Sequence, residues 1–161
     1  MRHKKQVQLL EKVSMGRCEN LTILSNTANL AQVRVAVETK GKRAGFDKKN
    51  CDAMALAVDE ALTNVIRHAY GGAPDKKIEI SIEELNETNN CQGLMICIRD
   101  FGKAVDASQI KGRELTDVRP GGLGVHIMRE VMDEVVYECP PSGGTCLRMI
   151  KYHHSGEKKK N

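Results

Sequence analysis

Glu60, Asn64 and His68 stand four residues apart in the stretch Glu60-Ala-Leu-Thr-Asn64-Val-Ile-Arg-His68-Ala-Tyr70. On a helix that spacing stacks a carboxylate, an amide and an imidazole along one face. A carboxylate can accept a proton, and an amide oxygen is a neutral hard ligand for a divalent cation. Magnesium-dependent phosphoryl transfer uses both. Solvated helix faces carry the same residue types, so this stretch alone leaves a structural reading open. His68 reads as a structural hydrogen-bonding residue.

Three further groups follow. Asp100-Phe-Gly102 ends an apolar run, where a carboxylate can accept a hydrogen bond from an exocyclic amine and a glycine lets a flat base approach the backbone. An ordinary turn after a strand would look the same. Gly121-Gly122-Leu123-Gly124 opens a helical pattern, and backbone N–H groups at a glycine-rich helix start suit an anion. Arg119 just before it could reach a terminal phosphate or stay solvated. Gly143-Gly144-Thr145 leads into the last apolar run, where the Thr145 hydroxyl could bond a base, or simply belong to a hairpin.

Those residues need elements to hold them. Leu21–Ser25 reads as a strand, and Asn26 to about Arg43 as a helix with Leu30, Val33, Val35 and Val37 apolar. Asp47 is placed to cap a second long helix that reaches Tyr70 and halts at Gly71-Gly72-Ala-Pro74. On that helix Met54, Val58, Ala61, Leu62, Val65 and Ala69 share one apolar stripe, flanked by the polar trio. Lys77–Glu83 alternates as a half-exposed strand does, Leu94–Ile98 is a nearly continuous apolar strand, and 103–120 is a polar connector. A helix is predicted from Val125 to about Asp133. Glu134–Glu138 and Thr145–Ile150 then read as strands joined by Pro140-Pro-Ser-Gly-Gly144. Helices early and hairpin-linked strands late predict an α+β two-layer sandwich. Its mixed, mostly antiparallel sheet would be covered on one face by about three helices.

Composition narrows the class. At 161 residues the chain fits one domain, and with 40% hydrophobic but only 3% aromatic residues the core must be aliphatic. No apolar run approaches the roughly 20 residues of a membrane span, and no hydrophobic signal region follows the basic Met1–Gln6. A cytoplasmic setting is expected. The six cysteines include no C-x-x-C pair and read as free thiols, several of them buried. The net charge of +4 sits partly at the ends, without aromatic interleaving, which argues against direct nucleic-acid binding.

In order and type, these motifs resemble those of the GHKL ATPase/kinase superfamily with the Bergerat ATP-binding fold, closest to its anti-sigma-factor serine/threonine kinases of the RsbW and SpoIIAB type. The resemblance spans about Leu21 to Lys151. It implies an N-terminal extension at 1–20, a kinase domain at 21–152 and a charged tail at 153–161, expected to be disordered. It implies that Glu60 is the general base, that Asn64 binds Mg2+, that Asp100 and Gly102 receive adenine together with Thr145, and that Arg119, Gly121, Gly122, Leu123 and Gly124 close over the phosphates of ATP. The implied partners are a STAS-domain antagonist, phosphorylated on Ser or Thr, and a sigma factor; relatives of this kind tend to be homodimers. Lys103-Ala104 departs from the glycine or proline common after the Asp-Phe-Gly turn. An ATP-binding module that sequesters a partner without phosphorylating it is the alternative. Eukaryotic-type protein kinases share Asp-Phe-Gly, but the chain has neither their H-R-D loop nor a Walker A run.

Overall fold

The computed structural model describes residues 15–85, 92–103 and 122–153. Arg119, Gly121, residues 1–14 and the tail from 154 lie outside the described residues. Among the described residues five strands form one sheet in the order β1-β2-β3-β5-β4: β1 (Met15–Leu24), β2 (Lys77–Leu85), β3 (Gly93–Asp100), β4 (Glu134–Glu138) and β5 (Cys146–Tyr152). Every pairing among the described strands is antiparallel, in keeping with the expected mostly antiparallel sheet. The first strand starts at Met15, six residues before the expected Leu21.

Alternation decides which face is covered. Ile78, Ile80 and Ile82 of β2, Leu94, Ile96 and Ile98 of β3, and Leu147 and Met149 of β5 are all buried in one cluster with the helices. Ser81, Met95, Cys97, Arg99 and Arg148, of the opposite parity, are half-buried on the far face. Sequence alone could not show this alternation in β3, because Met95 and Cys97 are themselves apolar.

Helix α1 (Leu30–Arg43) follows a 3-10 turn (Thr27–Asn29). It buries Leu30, Val33, Ala36 and Val37. Val35, expected on that stripe, is 62% exposed because it lies two positions, about 200°, from Val33. The helix ends in a Schellman cap: Phe46 N–H donates to the Gly41 carbonyl and Gly45, at φ 92°, to that of Lys42. Asp47 then caps α2 (Lys48–Asn64), its carboxylate accepting from Asn50 N–H at 2.8 Å. Cys51, Met54, Ala55, Ala57, Val58, Ala61 and Leu62 are buried along α2.

The long helix does not reach Tyr70 as an α-helix. Val65–Ala69 form a π-helical turn, and Tyr70 N–H donates to the Val65 carbonyl. Ile66 is buried in the core there, and Val65, on the expected stripe, is half-buried and packs against the same core. Helix α3 (Gly122–Val131) begins inside the glycine run, earlier than Val125, and packs beside α2.

Burial pushes the Cys97 thiol up to about 11 and also raises those of Cys51 and Cys146, which favours the protonated thiol. Cys18 and Cys139 are exposed. No helix among the described residues is long and apolar enough to cross a membrane.

Candidate functional site

Strand parity puts a carboxylate where the core would continue. Leu94, Ile96 and Ile98 point toward the helices, and Asp100, next on the same side, is only 3% exposed. Opposite it, Thr145 shares the parity of Leu147 and Met149 and is also buried, and Asp100 N–H donates to the Thr145 carbonyl at 3.0 Å. Two polar side chains thus end two adjacent apolar rows. Asp100 accepts a hydrogen bond from Gly102 N–H at 3.1 Å. Burial raises its carboxyl above the ordinary value, opposed by backbone N–H groups of Gly102 and Thr145 and by the Arg99 charge.

Close backbone approach builds the rest of this corner. A Cβ on Gly102 would collide with the Ala69 carbonyl, so the turn after β3 lies against the π-helical turn. A Cβ on Gly144, at φ 70°, would strike the Asp100 carbonyl oxygen, so the β4–β5 turn presses on the same residue from the other side. Arg99 fastens that turn: its guanidinium donates to the Gly143 carbonyl at 2.7 Å, the Ser142 hydroxyl at 3.0 Å and the Asp100 carbonyl at 2.8 Å. Tyr70 completes the corner, its hydroxyl accepting from Phe101 N–H at 2.7 Å and donating to the Lys77 carbonyl at 2.5 Å. Sequence reasoning assigned neither Arg99 nor Tyr70 a role. Both adjoin motifs that were singled out, but their work is done through backbone contacts that carry no sequence signature.

Glu60 and Asn64 are half-buried on the last turns of α2, and Asn64 is the residue at which the π-helical turn takes over. The structure therefore joins the acid–amide helix to the Asp100–Gly102 turn through Ala69 and Tyr70. Gly122, Leu123 and Gly124 occupy the first turn of α3, which packs on α2. His68 is exposed, and among the described residues none shares a hydrogen bond with its ring, so its expected structural bond is not seen there.

The Thr145 hydroxyl oxygen is buried, with no hydrogen-bond partner among the described residues. A buried, unsatisfied hydroxyl costs free energy, and beside a buried carboxylate it forms a cradle for a flat group offering both a donor and an acceptor. An adenine ring fits that donor–acceptor set. Among the described residues no three His, Cys, Asp or Glu side chains cluster as a metal cage. A cation here would rest on one protein oxygen and on its ligand's own oxygens.

Comparison with known proteins agrees. The model of the histidine kinase-like ATPase domain matches residues 23–151. Serine-protein kinase RsbW of Staphylococcus epidermidis is 30% identical over 129 residues, covering 74% of this chain and 77% of its own. That of Bacillus pumilus is 27% identical over 128 residues (74% and 76%). That of Listeria monocytogenes serotype 4a is 28% identical over 136 residues (80% and 82%). A chain of the SiaB–SiaC complex from Pseudomonas aeruginosa shares the fold at 9% identity, with a TM-score of 0.62 over 92% of this chain and 96% of that one. With its matched domain reaching from β1 to β5 and its acid–amide helix meeting the buried Asp100, the chain belongs to the histidine kinase-like ATPase family, in its RsbW-type branch.

Proposed function

We propose that the protein is a serine/threonine protein kinase of a partner-switching system, using ATP and Mg2+ to phosphorylate a STAS-domain antagonist and binding a sigma factor or similar regulator. The observation that carries this reading is the buried Asp100 carboxylate beside the unpartnered Thr145 hydroxyl, at the end of the helix that bears Glu60 and Asn64. When bound, ATP supplies the phosphoryl group that is transferred.

The chain's own residues do the positioning. Asp100 accepts from the adenine amine, with Gly102 leaving room for the ring and Thr145 bonding its edge. Asn64 offers a neutral oxygen to Mg2+. Gly122, Leu123 and Gly124, in the first turn of α3, would offer backbone N–H groups to the phosphates, a role the resemblance extends to Gly121, and Arg119 would contact a terminal phosphate. Glu60, one turn before Asn64, orients the substrate hydroxyl and takes its proton. Positioning and charge neutralisation supply most of the acceleration. The setting proposed is the cytoplasm, and the protein acts as a homodimer.

Label transfer from radiolabelled ATP to candidate antagonists tests this. Glu60→Gln is expected to lower transfer about 100-fold or more while nucleotide binding persists. Transfer that survives the substitution sinks Glu60 as the base. The exposed Lys103, where relatives favour glycine or proline, motivates a second reading as a sequestering module. Selective ATP binding with no transfer to any retained partner would favour it.

A further inference from the structure

The peptide unit that follows Asp100 is held at both ends. Its oxygen, the Asp100 carbonyl, accepts from the Arg99 guanidinium at 2.8 Å. Its N–H, that of Phe101, donates to the Tyr70 hydroxyl at 2.7 Å. The same hydroxyl donates to the Lys77 carbonyl at the start of β2. One oxygen therefore ties the end of the π-helical turn to the first residue of β2 and to the residue after β3. The groups facing it include Lys77 and Arg99, both stacked on the Phe101 ring at 4.4 and 4.7 Å. Only a side chain that donates and accepts at one atom, on a rigid ring, can make both bonds. Tyrosine does; phenylalanine has the same ring and neither bond.

Position along the chain makes this more than a staple. A peptide plane fixed at its oxygen and its nitrogen fixes the Cα it springs from, here that of Asp100. The carboxylate then has little freedom left, since Gly102 N–H already holds one of its oxygens. We infer that Tyr70 is a positioning residue for base selection: it aims the Asp100 carboxylate at the exocyclic amine of adenine, and so sets the preference for adenine over guanine nucleotides. The inference rests on the nucleotide reading given above. Guanine presents a carbonyl where adenine presents an amine, and a carboxylate aimed there repels it. A carboxylate that wanders discriminates less.

The test is magnesium–ATP and magnesium–GTP binding, by calorimetry on the full chain, for wild type, Tyr70→Phe, Asp100→Asn and the double variant. Tyr70→Phe is expected to weaken ATP about tenfold and to lower the ATP-to-GTP ratio by a similar factor, a misplacement cost rather than a lost contact. In the double variant the ratio should equal that of Asp100→Asn alone, because Tyr70 acts through Asp100. A purely structural tyrosine would weaken both nucleotides equally, and an unchanged ratio in Tyr70→Phe overturns the inference while leaving the pocket intact. Independent, multiplying effects in the double variant overturn it too. Wild type that binds neither nucleotide overturns the pocket reading and this inference together. Should Tyr70→Phe fail to fold, amide exchange in the wild type decides. Slow exchange at Phe101, a residue 46% exposed, supports the tie, and exchange at the unprotected rate refutes it.

Discussion

A carboxylate held out of water is in tension with its own solvation, and Asp100 carries that tension at the end of a row of isoleucines and leucine. Burial raises its pKa above the ordinary 3.8. The folded chain then holds this proton more tightly than the unfolded one. The stabilisation is complete below about 3.8 and is lost as pH rises through the folded value, so at neutral pH the ionised group costs stability. Asp100→Asn is therefore expected to melt a few degrees above wild type at pH 7 without nucleotide. The gap should close as pH falls toward 4, and ATP affinity should drop roughly 100-fold; thermal melts across pH and calorimetry measure the two effects. Thr145 is the neutral counterpart. Its buried hydroxyl has no partner among the described residues, so Thr145→Val should leave the melting temperature of the free protein equal or higher while weakening ATP about tenfold. A gain in stability paired with a loss of binding is what a site residue shows and a structural one does not.

At the scale of elements, the site is a set of close backbone crossings, and glycines mark where they occur. Gly143 and Gly144 are adjacent in one turn, both with positive φ, yet only at Gly144 would a Cβ meet another strand. Gly143→Ala meets no atom within 4 Å and should cost only the conformational penalty of about 1–2 kcal/mol, sparing ATP binding. Gly144→Ala adds a collision with the Asp100 carbonyl and should cost more than about 2 kcal/mol in urea unfolding and abolish ATP binding as well. Equal effects from the two would refute the crossing. Gly121-Gly-Leu-Gly124 and Gly143-Gly144 were legible in the sequence as glycine pairs, but which glycine touches a neighbour was not. Nothing in a single chain's spacing encodes a contact between two turns. The π-helical turn was hidden for a similar reason: Glu60 to Tyr70 has continuous helical periodicity, and one inserted residue in the hydrogen-bond ladder leaves no compositional mark.

For the whole molecule, an aliphatic core lies between one sheet face and helices α1–α3, and α2 is its central member. Leu62 is fully buried one turn from Val58, whereas Val35 on α1 is 62% exposed. Leu62→Ala should cost about 2–5 kcal/mol in urea unfolding and Val35→Ala less than about 0.5, a contrast that checks which helix faces meet the sheet. In the sequence both read as apolar helix positions.

Local pattern determined much on its own. Period-2 alternation marked β2, the Asp47 cap and the glycine stops bounded the helices, and the order of acid–amide helix, Asp-Phe-Gly turn and two glycine runs pointed to the family. Such signals are readable because they repeat within one or two turns or pleats. Tertiary structure alone decided what depends on register. It set Asp100 opposite Thr145 on the covered face, brought the Tyr70 hydroxyl to the peptide after Asp100, and pressed Gly102 and Gly144 onto their neighbours. A hydrogen bond between distant segments requires a particular pairing of strands and a particular helix phase. Residue types permit many such pairings, and only packing selects one.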